Sequence, residues 1–385
     1  MIPRIAQNAA MDSLPKAMHE ALALARGAIA LSEPNPRVGC VLVSADGQRV
    51  LGCGHTQPAG QAHAEIMALR DAAARGADVR GATAYVTLEP CAHHGRTGPC
   101  CDALAAAGIG KVVASLTDPN PLVAGQGFAR LRAAGIAVEV GPGAEESRAL
   151  NIGFFSRMIR KTPWVRMKMA ASLDGLTALP DGSSQWITAQ AARTDGHAWR
   201  ARAGAVLTGI GTVLEDNPRL DVRLVPTPRQ PALVVVDSRL QIPPDAALFQ
   251  PARPVLIYGA EDQPDAIAAL RSRGAEVVLL PGAGGKVDLA ALLADLGQRE
   301  VNELHVEAGF KLNGSLVREG LVDEFLVYLA PRLLGQGQGL ANFGPLASLD
   351  EALELDFTSI DRVGVDLRVL ATVKGRSPTE WVPPG

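Results

Sequence analysis

The chain has 385 residues, enough for two or three domains, and its 47% apolar and 20% charged residues are typical of a globular protein. Its 37 basic and 40 acidic residues give a formal net charge of -3, which argues against nucleic acid bound through a broad basic face. A local basic pocket for a phosphorylated small molecule remains compatible with this charge. The sequence has no apolar run of roughly eighteen residues and no secretory signal, so we expect no membrane span.

The first third of the chain alternates helix and strand patterns. The predicted elements, in chain order, are a helix at 12–29, a hairpin at 38–54, a helix at 63–76, a strand at 81–88, a helix at 100–110, a strand at 111–116, a helix at 128–135 and a strand at 136–140. These elements predict a three-layer α/β domain. Residues 1–11 before it are predicted to be a loose tail.

A charged helical stretch then leads to Pro163, where the pattern restarts. Strand candidates follow at 164–175, 205–211, 231–238, 254–259, 275–280, 303–309 and 323–331, and helical patterns separate several of them. The sequence therefore predicts a second α/β domain with its own sheet. We place the domains at residues 12–160 and 161–385.

A possible metal site lies in the first domain. His63 and Glu65 open a predicted helix, Cys91 follows a strand behind Glu89 and Pro90, and Cys100 begins the next helix. One imidazole and two thiolates leave a fourth tetrahedral position for a water molecule, whose pKa zinc lowers to about 7. Glu65 could then move protons between that water and a leaving amine, provided that it is not itself a ligand.

A structural zinc knuckle is the alternative, built from Cys91, His93 or His94, Cys100 and Cys101. Structural sites usually pair ligands at shorter spacing than that from Cys91 to Cys100, and His63 with Glu65 would have no part in one. All five cysteines precede residue 102 in a chain without an export signal. This usage favours metal binding over disulfides and predicts a cytoplasmic protein.

The second domain lacks the G-x-G-x-x-G pattern of dinucleotide-binding folds. Glycine-bearing strand ends at 207–218 and 306–316 could each bring backbone N–H groups to a phosphate, although ordinary turns explain them equally well. Arg239 could contact a 2′-phosphate, whereas the neighbouring Asp237 would favour a free ribose. The residues alone therefore leave the choice between a 2′-phosphate and a free ribose open.

Two groups of motifs resemble one family. In the first domain they are "PNPRVGCVLV" and "HAE…TLEPCAHHGRTGPCCDAL", and in the second "KMAASLDG", "SSQWITA" and the two glycine-bearing strand ends. The zinc-deaminase signature H-x-E…P-C-x-x-C is present with a longer loop between the cysteines. From about residue 18 to about residue 370, the chain closely resembles the bifunctional riboflavin-biosynthesis family, in which a pyrimidine deaminase is fused to a reductase.

The resemblance implies a cytidine-deaminase-like first domain and a dihydrofolate-reductase-like second domain. It implies one zinc ion held by His63, Cys91 and Cys100, with Glu65 as the proton shuttle. His93, His94, Arg96 and Thr97 would shape the substrate pocket. Asn35 would contact the substrate, although Asn35 taken alone is better explained as a turn residue before Pro36.

For the second domain the resemblance implies NADPH and a set of contacts. The implied NADPH-binding residues are Ala170, Trp186, Thr212, Asp216, Ser238 and the loop Gly309, Phe310, Lys311, Leu312, Asn313, Gly314 and Ser315. The implied substrate-binding residues are Ser184, Arg200, Leu220, Arg223 and Glu307. Arg200 and Arg223 could pair with a sugar phosphate, while surface ion pairs remain the default use of arginine.

The implied function is hydrolytic deamination of 2,5-diamino-6-(5-phosphoribosylamino)pyrimidin-4(3H)-one, followed by NADPH reduction of the ribosyl chain to ribityl. The expected partner is this phosphorylated pyrimidine, with no nucleic acid and no membrane, in a homo-oligomer. One alternative is a nucleic-acid deaminase of the tRNA type with a C-terminal binding module. Another is a zinc-stabilised scaffold with a nucleotide-sensing domain.

Overall fold

The computed structural model describes residues 14–92, 98–120 and 123–376. The chain divides into two compact units between Ile159 and Arg160. None of the helices in the described ranges combines the length and the apolar character needed to cross a membrane.

The first unit is built around a five-stranded sheet. Its strands are β1 (Gly39–Val43), β2 (Val50–His55), β3 (Thr83–Val86), β4 (Lys111–Ala114) and β5 (Ala137–Val140), in the order β2-β1-β3-β4-β5. β1 is antiparallel to both of its neighbours, whereas β3, β4 and β5 are parallel. The helices are α1 (Lys16–Gly27), α2 (Ala64–Ala74), α3 (Cys100–Ala106), α4 (Gln126–Ala133), α5 (Ala144–Leu150) and α6 (Ile152–Arg160).

Small residues bring α2 directly onto β2. A Cβ atom on Gly52 would lie 2.3 Å from the carbonyl oxygen of Ala68, and one on Gly54 would lie 2.5 Å from the Cβ atom of Met67. Both distances are too short for any side chain, so only glycine lets the helix backbone approach the strand this closely. This contact fixes the first turn of α2, where the predicted metal and acid residues lie.

The second unit is built around a nine-stranded sheet in the order β10-β9-β8-β7-β11-β6-β12-β14-β13. Its strands are β6 (Trp164–Ser172), β7 (Ala205–Gly209), β8 (Ala232–Val236), β9 (Val255–Gly259), β10 (Ala275–Leu279), β11 (Glu303–Val306), β12 (Glu324–Ala330), β13 (Leu355–Val363) and β14 (Asp366–Val373). Its helices are α7 (Gln190–Arg202), α8 (Ile210–Asp216), α9 (Pro264–Ser272), α10 (Leu289–Gln298) and α11 (Phe310–Arg318).

The first seven strands of this sheet order are mutually parallel, and the hairpin β13–β14 is antiparallel at one edge. Two apolar clusters form the core, one around Met167, Leu207 and Leu296 and the other around Leu233, Ile257 and Leu270. A parallel sheet covered on both faces explains the continuous apolar runs in its strands. The carboxyl ends of these strands lie at one edge, where ligands bind in folds of this kind.

Candidate active sites

Three predicted zinc ligands converge in the first unit. His63 is the extended residue that precedes α2, Cys91 follows β3, and Cys100 is the first residue of α3. Nδ1 of His63 lies 3.6 Å from Sγ of Cys91 and 3.4 Å from Sγ of Cys100, and the three candidate ligand atoms all lie within 4.8 Å of one another. This donor set and spacing fit a tetrahedral zinc ion with three protein ligands and one open position.

The two thiols of this cluster differ in their affinity for a proton. The Cys100 thiol donates to Cys91, and together with His63 and the N–H of Cys100 it lowers the pKa of Cys91 to about 4. The same hydrogen bond, with burial, raises the pKa of Cys100. Both thiols would have to lose their protons to bind zinc, because only a thiolate is a zinc ligand.

Glu65 lies in the first turn of α2 with a side chain only 3% exposed. Burial raises its pKa to about 7, the charge of Cys91 raises it further, and the charge of His63 opposes both. A carboxyl group with this pKa can take up and release a proton near neutral pH. Its position beside the three ligands suits a proton carrier.

Glu89, which the sequence analysis did not single out, fixes the segment that carries Cys91. Its buried carboxylate accepts hydrogen bonds from four backbone N–H groups, those of Asp118, Gly125, Gly127 and Phe128, at 2.8–3.3 Å. A carboxylate that satisfies four donors holds the carboxyl ends of β3 and β4 together. The signal available in the sequence was an acidic residue directly after a buried strand.

The other predicted residues of the first unit lie apart from the His63, Cys91 and Cys100 cluster or outside the residues that the structure describes. Sγ of Cys101 faces Oδ1 of Asp102 at 3.6 Å and does not join the candidate ligands. His93, His94, Arg96 and Thr97 lie outside the described residues. Asn35 lies in the turn after α1, where its N–H donates to the carbonyl of Ser32 at 2.8 Å.

The predicted NADPH-binding residues of the second unit follow neighbouring strands. Ala170 is on β6, Thr212 and Asp216 are on α8 after β7, Ser238 follows β8, and Gly309 precedes α11 after β11. Since β6, β11, β7 and β8 are adjacent and parallel, these positions share the carboxyl edge of the sheet. A Cβ atom on Gly309 would lie 3.5 Å from Oγ1 of Thr212, so α8 and α11 begin side by side.

The segment Gly309–Ser315, predicted as a loop, forms the start of helix α11 instead. Leu312 and Leu316 lie one turn apart and both face the apolar core, which favours a helix. The backbone of Gly314 packs directly against that of Asn342, since a Cβ atom on Gly314 would lie 1.7 Å from the carbonyl oxygen of Asn342. The lack of a side chain at Gly314 therefore allows close packing. The backbone N–H groups at the start of α11 face the carboxyl edge of the sheet.

Trp186 lies between β6 and α7 with its side chain 61% exposed, and the guanidinium of Arg193 lies 4.6 Å from its ring centroid. The carboxylate of Asp237 is buried and accepts the N–H of Ile242 in its own turn at 2.9 Å. Arg239 lies 3.5 Å from Glu261 in an exposed ion pair. Both side chains that the sequence offered for the choice between NADPH and NADH therefore have partners within the protein.

The predicted substrate residue Glu307 lies at the carboxyl end of β11. Arg200 on α7 makes a bidentate pair with it, and Nζ of Lys168, a residue the sequence analysis did not single out, lies 3.7 Å away. Burial alone would raise the pKa of Glu307, but the charges of Arg200 and Lys168 hold it well below its usual range. Glu307 is therefore an ionised acceptor at the carboxyl edge.

The remaining predicted substrate residues are distributed as follows. Nη1 of Arg223 lies 2.7 Å from Oδ1 of Asp221. The side chain of Leu220 is buried in the apolar core, so a ligand contact at this position would use the backbone. Ser184 lies half-buried in the segment between β6 and α7.

Known proteins are similar to this chain over nearly its whole length. Residues 11–116 match the cytidine and deoxycytidylate deaminase zinc-binding region, and residues 163–369 match the RibD C-terminal domain. The riboflavin biosynthesis protein RibD of Escherichia coli is 44% identical over 364 residues, which cover 91% of this chain and 96% of that protein.

Two solved structures are similar throughout. RibD of Acinetobacter baumannii is 38% identical with a TM-score of 0.83, and the alignment covers 93% of this chain and 98% of that one. A diaminohydroxyphosphoribosylaminopyrimidine deaminase/5-amino-6-(5-phosphoribosylamino)uracil reductase of Thermotoga maritima is 30% identical with a TM-score of 0.82 and the same coverage.

Proposed function

The chain belongs to the RibD family of riboflavin-biosynthesis proteins, and on that premise we propose that it catalyses two successive steps. Residues 12–160 would deaminate 2,5-diamino-6-(5-phosphoribosylamino)pyrimidin-4(3H)-one, and residues 161–385 would reduce the ribosyl chain of the product to ribityl with NADPH. The observation that carries the proposal is the convergence of His63, Cys91 and Cys100 beside a buried Glu65.

In the deamination step, His63, Cys91 and Cys100 would hold the zinc ion. When bound, zinc acts as a Lewis acid that makes water a nucleophile at neutral pH. Glu65 would take a proton from the attacking water and deliver it to the amino group that leaves as ammonia. The ring carbon exchanges its amino group for the oxygen of water, and no net redox change occurs.

In the reduction step, NADPH would supply the hydride and the protein would supply binding and orientation. The adjacent starts of α8 and α11 suit the phosphates of a dinucleotide. Glu307, kept ionised by Arg200 and Lys168, would accept hydrogen bonds from the hydroxyl groups of the ribosyl chain. Preference for NADPH over NADH is supported by the family resemblance alone.

The alternative function, a nucleic-acid deaminase with a C-terminal binding module, is not favoured. Its C-terminal binding module would occupy the residues that match the RibD C-terminal domain. A scaffold without activity would not need a buried carboxyl with a pKa near 7 beside the candidate ligands.

A coupled assay on the purified full-length chain tests the proposal. We expect ammonia release from the diaminopyrimidine nucleotide and an equal amount of NADPH oxidised. Removing zinc with a chelator should stop ammonia release but leave reduction of the deaminated nucleotide intact. Deamination without NADPH oxidation would contradict the proposed second step, and ammonia release from RNA would revive the rejected alternative.

The cytoplasmic location predicted from the sequence stays a prediction. The predicted homo-oligomer also stays a prediction, and one surface of the second unit supports it. The edge strand β13 has Phe357 70% exposed and Ile360 50% exposed. A nine-residue edge strand that exposes apolar side chains is a template for pairing with another strand. We therefore expect Phe357→Glu to shift the chain toward monomer in sedimentation at micromolar concentration.

Val140→Glu is the matched control, since Val140 is a 41% exposed apolar residue on the edge strand β5 of the first unit. This variant should sediment like the parent chain. Dissociation by Val140→Glu but not by Phe357→Glu would place the interface elsewhere.

A further inference from the structure

The segment 332–342 follows β12, at the carboxyl edge of the sheet in the second unit. It contacts two other segments of this edge, namely residues 173–187, which follow β6, and the first turns of α11. Both carry residues that the family resemblance implies for NADPH, Trp186 in the first and 309–315 in the second. The 332–342 segment therefore joins two parts of one proposed binding site.

Asp174 fastens the beginning of the 332–342 segment. Its carboxylate accepts the N–H of Leu334 at 3.0 Å, the N–H of Gly335 at 2.8 Å and the hydroxyl of Ser172 at 2.5 Å. The hydrogen bond from Ser172, together with those from the two N–H groups, lowers the pKa of Asp174 to about 2. The carboxylate is therefore ionised throughout the neutral range. Because an ionised acceptor makes stronger hydrogen bonds than a neutral one, Asp174 suits the role of an anchor between two segments.

The backbones of the two segments also bond to each other directly. The N–H of Thr177 donates to the carbonyl of Gln338 at 2.7 Å, and the N–H of Gln338 donates to that of Ala178 at 2.9 Å. A Cβ atom on Gly337 would lie 2.0 Å from the carbonyl oxygen of Ala178, so only glycine lets the two backbones approach this closely. Each segment therefore holds the other in place.

The 332–342 segment also contacts residues 173–187 at both of their ends. The carbonyl of Arg332 accepts the N–H of Leu173 at 2.8 Å, and Nη1 of Arg332 donates to the carbonyl of Trp186 at 3.3 Å. Leu173 and Trp186 are each 61% exposed. An exposed segment with few apolar contacts opens easily, so such hydrogen bonds decide its conformation.

The end of the 332–342 segment is bonded to α11. The N–H of Asn342 donates to the carbonyl of Phe310 at 3.0 Å, and the side-chain amide of the buried Asn313 donates to the carbonyl of Leu340 at 3.2 Å. A shift of the 332–342 segment would therefore break these bonds or move the first turns of α11.

We propose that Asp174 is a positioning residue for NADPH, which acts through the 332–342 segment. The proposal rests on the proposed reduction step. Asp174 fixes the 332–342 segment, and that segment sets the distance between residues 173–187 and the start of α11. A site that is already ordered loses less conformational freedom when the cofactor binds, so its affinity is higher. The family resemblance implied a contact for neither Asp174 nor the 332–342 segment.

Two replacements of Asp174 test the proposal. Asp174→Ala removes the acceptor of all three hydrogen bonds, whereas Asp174→Asn keeps one acceptor oxygen without the charge. We expect the dissociation constant of NADPH, measured by calorimetric titration of the full-length chain, to rise roughly 10-fold in Asp174→Ala and less in Asp174→Asn. KM for NADPH should rise in parallel, while kcat at saturating NADPH and ammonia release stay unchanged. An unchanged dissociation constant would overturn the proposal, as would a lower one, which would mean that the charge of Asp174 only repels the cofactor phosphates.

Asp181→Ala is the matched control. Asp181 also lies within residues 173–187, and its carboxylate accepts the N–H of Ser183 at 2.9 Å inside that segment. The variant removes the same charge from the same segment but leaves the bonds to the 332–342 segment in place. Its NADPH affinity should match that of the parent chain. Equal losses in Asp181→Ala and Asp174→Ala would exclude the anchoring role.

Gly337→Ala tests the 332–342 segment without changing Asp174. The added methyl group would press on the carbonyl of Ala178 and separate the two segments, so NADPH should again bind more weakly. Amide hydrogen exchange should be faster at 173–187 and 332–342 in Gly337→Ala and in Asp174→Ala, slower again with NADPH bound, and unchanged in β8. Normal NADPH affinity in Gly337→Ala despite faster exchange would refute the proposal.

Failure of the proposed reduction step gives a different result. If the parent chain itself binds no NADPH, the reduction step is wrong, and the role of Asp174 with it. If the parent chain and Asp174→Ala bind NADPH equally well, only the role of Asp174 is wrong.

Discussion

Replacing Glu65 with Gln is expected to abolish ammonia release while the chain keeps its zinc. Gln preserves the shape of the side chain but cannot carry a proton, and a positioned acid or base contributes roughly 10²- to 10⁴-fold to such a step. His63, Cys91 and Cys100 are untouched by the change, so the metal content should stay at one zinc per chain. Ammonia release and zinc content are measured on the same preparation.

Two comparisons separate this role of Glu65 from others. His63→Ala should lose zinc as well as activity, because it removes a candidate ligand. In Glu65→Gln, NADPH oxidation with the deaminated nucleotide should match that of the parent chain. Undiminished ammonia release would refute the proton-carrier role, and zinc loss as large as in His63→Ala would make Glu65 a ligand.

The fold was predictable wherever apolar runs were continuous. The strand candidate at 231–238 is β8 (Ala232–Val236), and the other six candidates of the second unit also contain strands. The comparisons confirm the family and its deaminase-like and reductase domains. The hairpin β13–β14 was missed because β13 is largely exposed and carries no continuous apolar run. The predicted charged helix after residue 143 breaks at Asn151 into α5 and α6, since Asn151 leaves helical geometry to bond the backbone of Arg37.

Some residues of the candidate sites could be predicted from the sequence, and others could not. The His63, Cys91 and Cys100 cluster followed from residue types with known ligand chemistry, and the structure brings the three together. Lys168 could not be found, because its relevance depends on β6 lying beside β11, which brings it to Glu307. Arg253 is similarly distant in sequence from Arg219 and Leu220, to whose carbonyls it donates hydrogen bonds. Such pairings depend on strand order, which the order of residues along the chain does not reveal.

Replacing Arg166 with Met is expected to lower the free energy of unfolding of the second unit by about 3–5 kcal/mol. Arg166 on β6 is 3% exposed, and its guanidinium lies 2.7 Å from Glu303 on β11 and 2.5 Å from Glu324 on β12. It also stacks 4.5 Å from the ring centroid of Trp199 on α7. Met can fill the volume but leaves two carboxylates in the interior without this cation. Denaturant unfolding followed by tryptophan fluorescence measures the change.

Arg80→Met is the matched control, because Arg80 makes its ion pair with Asp78 at the surface, where such pairs contribute about 0–1 kcal/mol. Arg202 also reaches Glu303, at 2.7 Å, so the loss in Arg166→Met should fall mainly on Glu324. Replacing Glu324 with Gln in the Arg166→Met background should then recover part of the lost stability, since a neutral amide costs less to bury than an unpaired carboxylate. A loss no larger than that of Arg80→Met would mean that the desolvation cost of the buried cation cancels its attraction to the two carboxylates. A large loss without recovery would mean that the cost does not fall on Glu324.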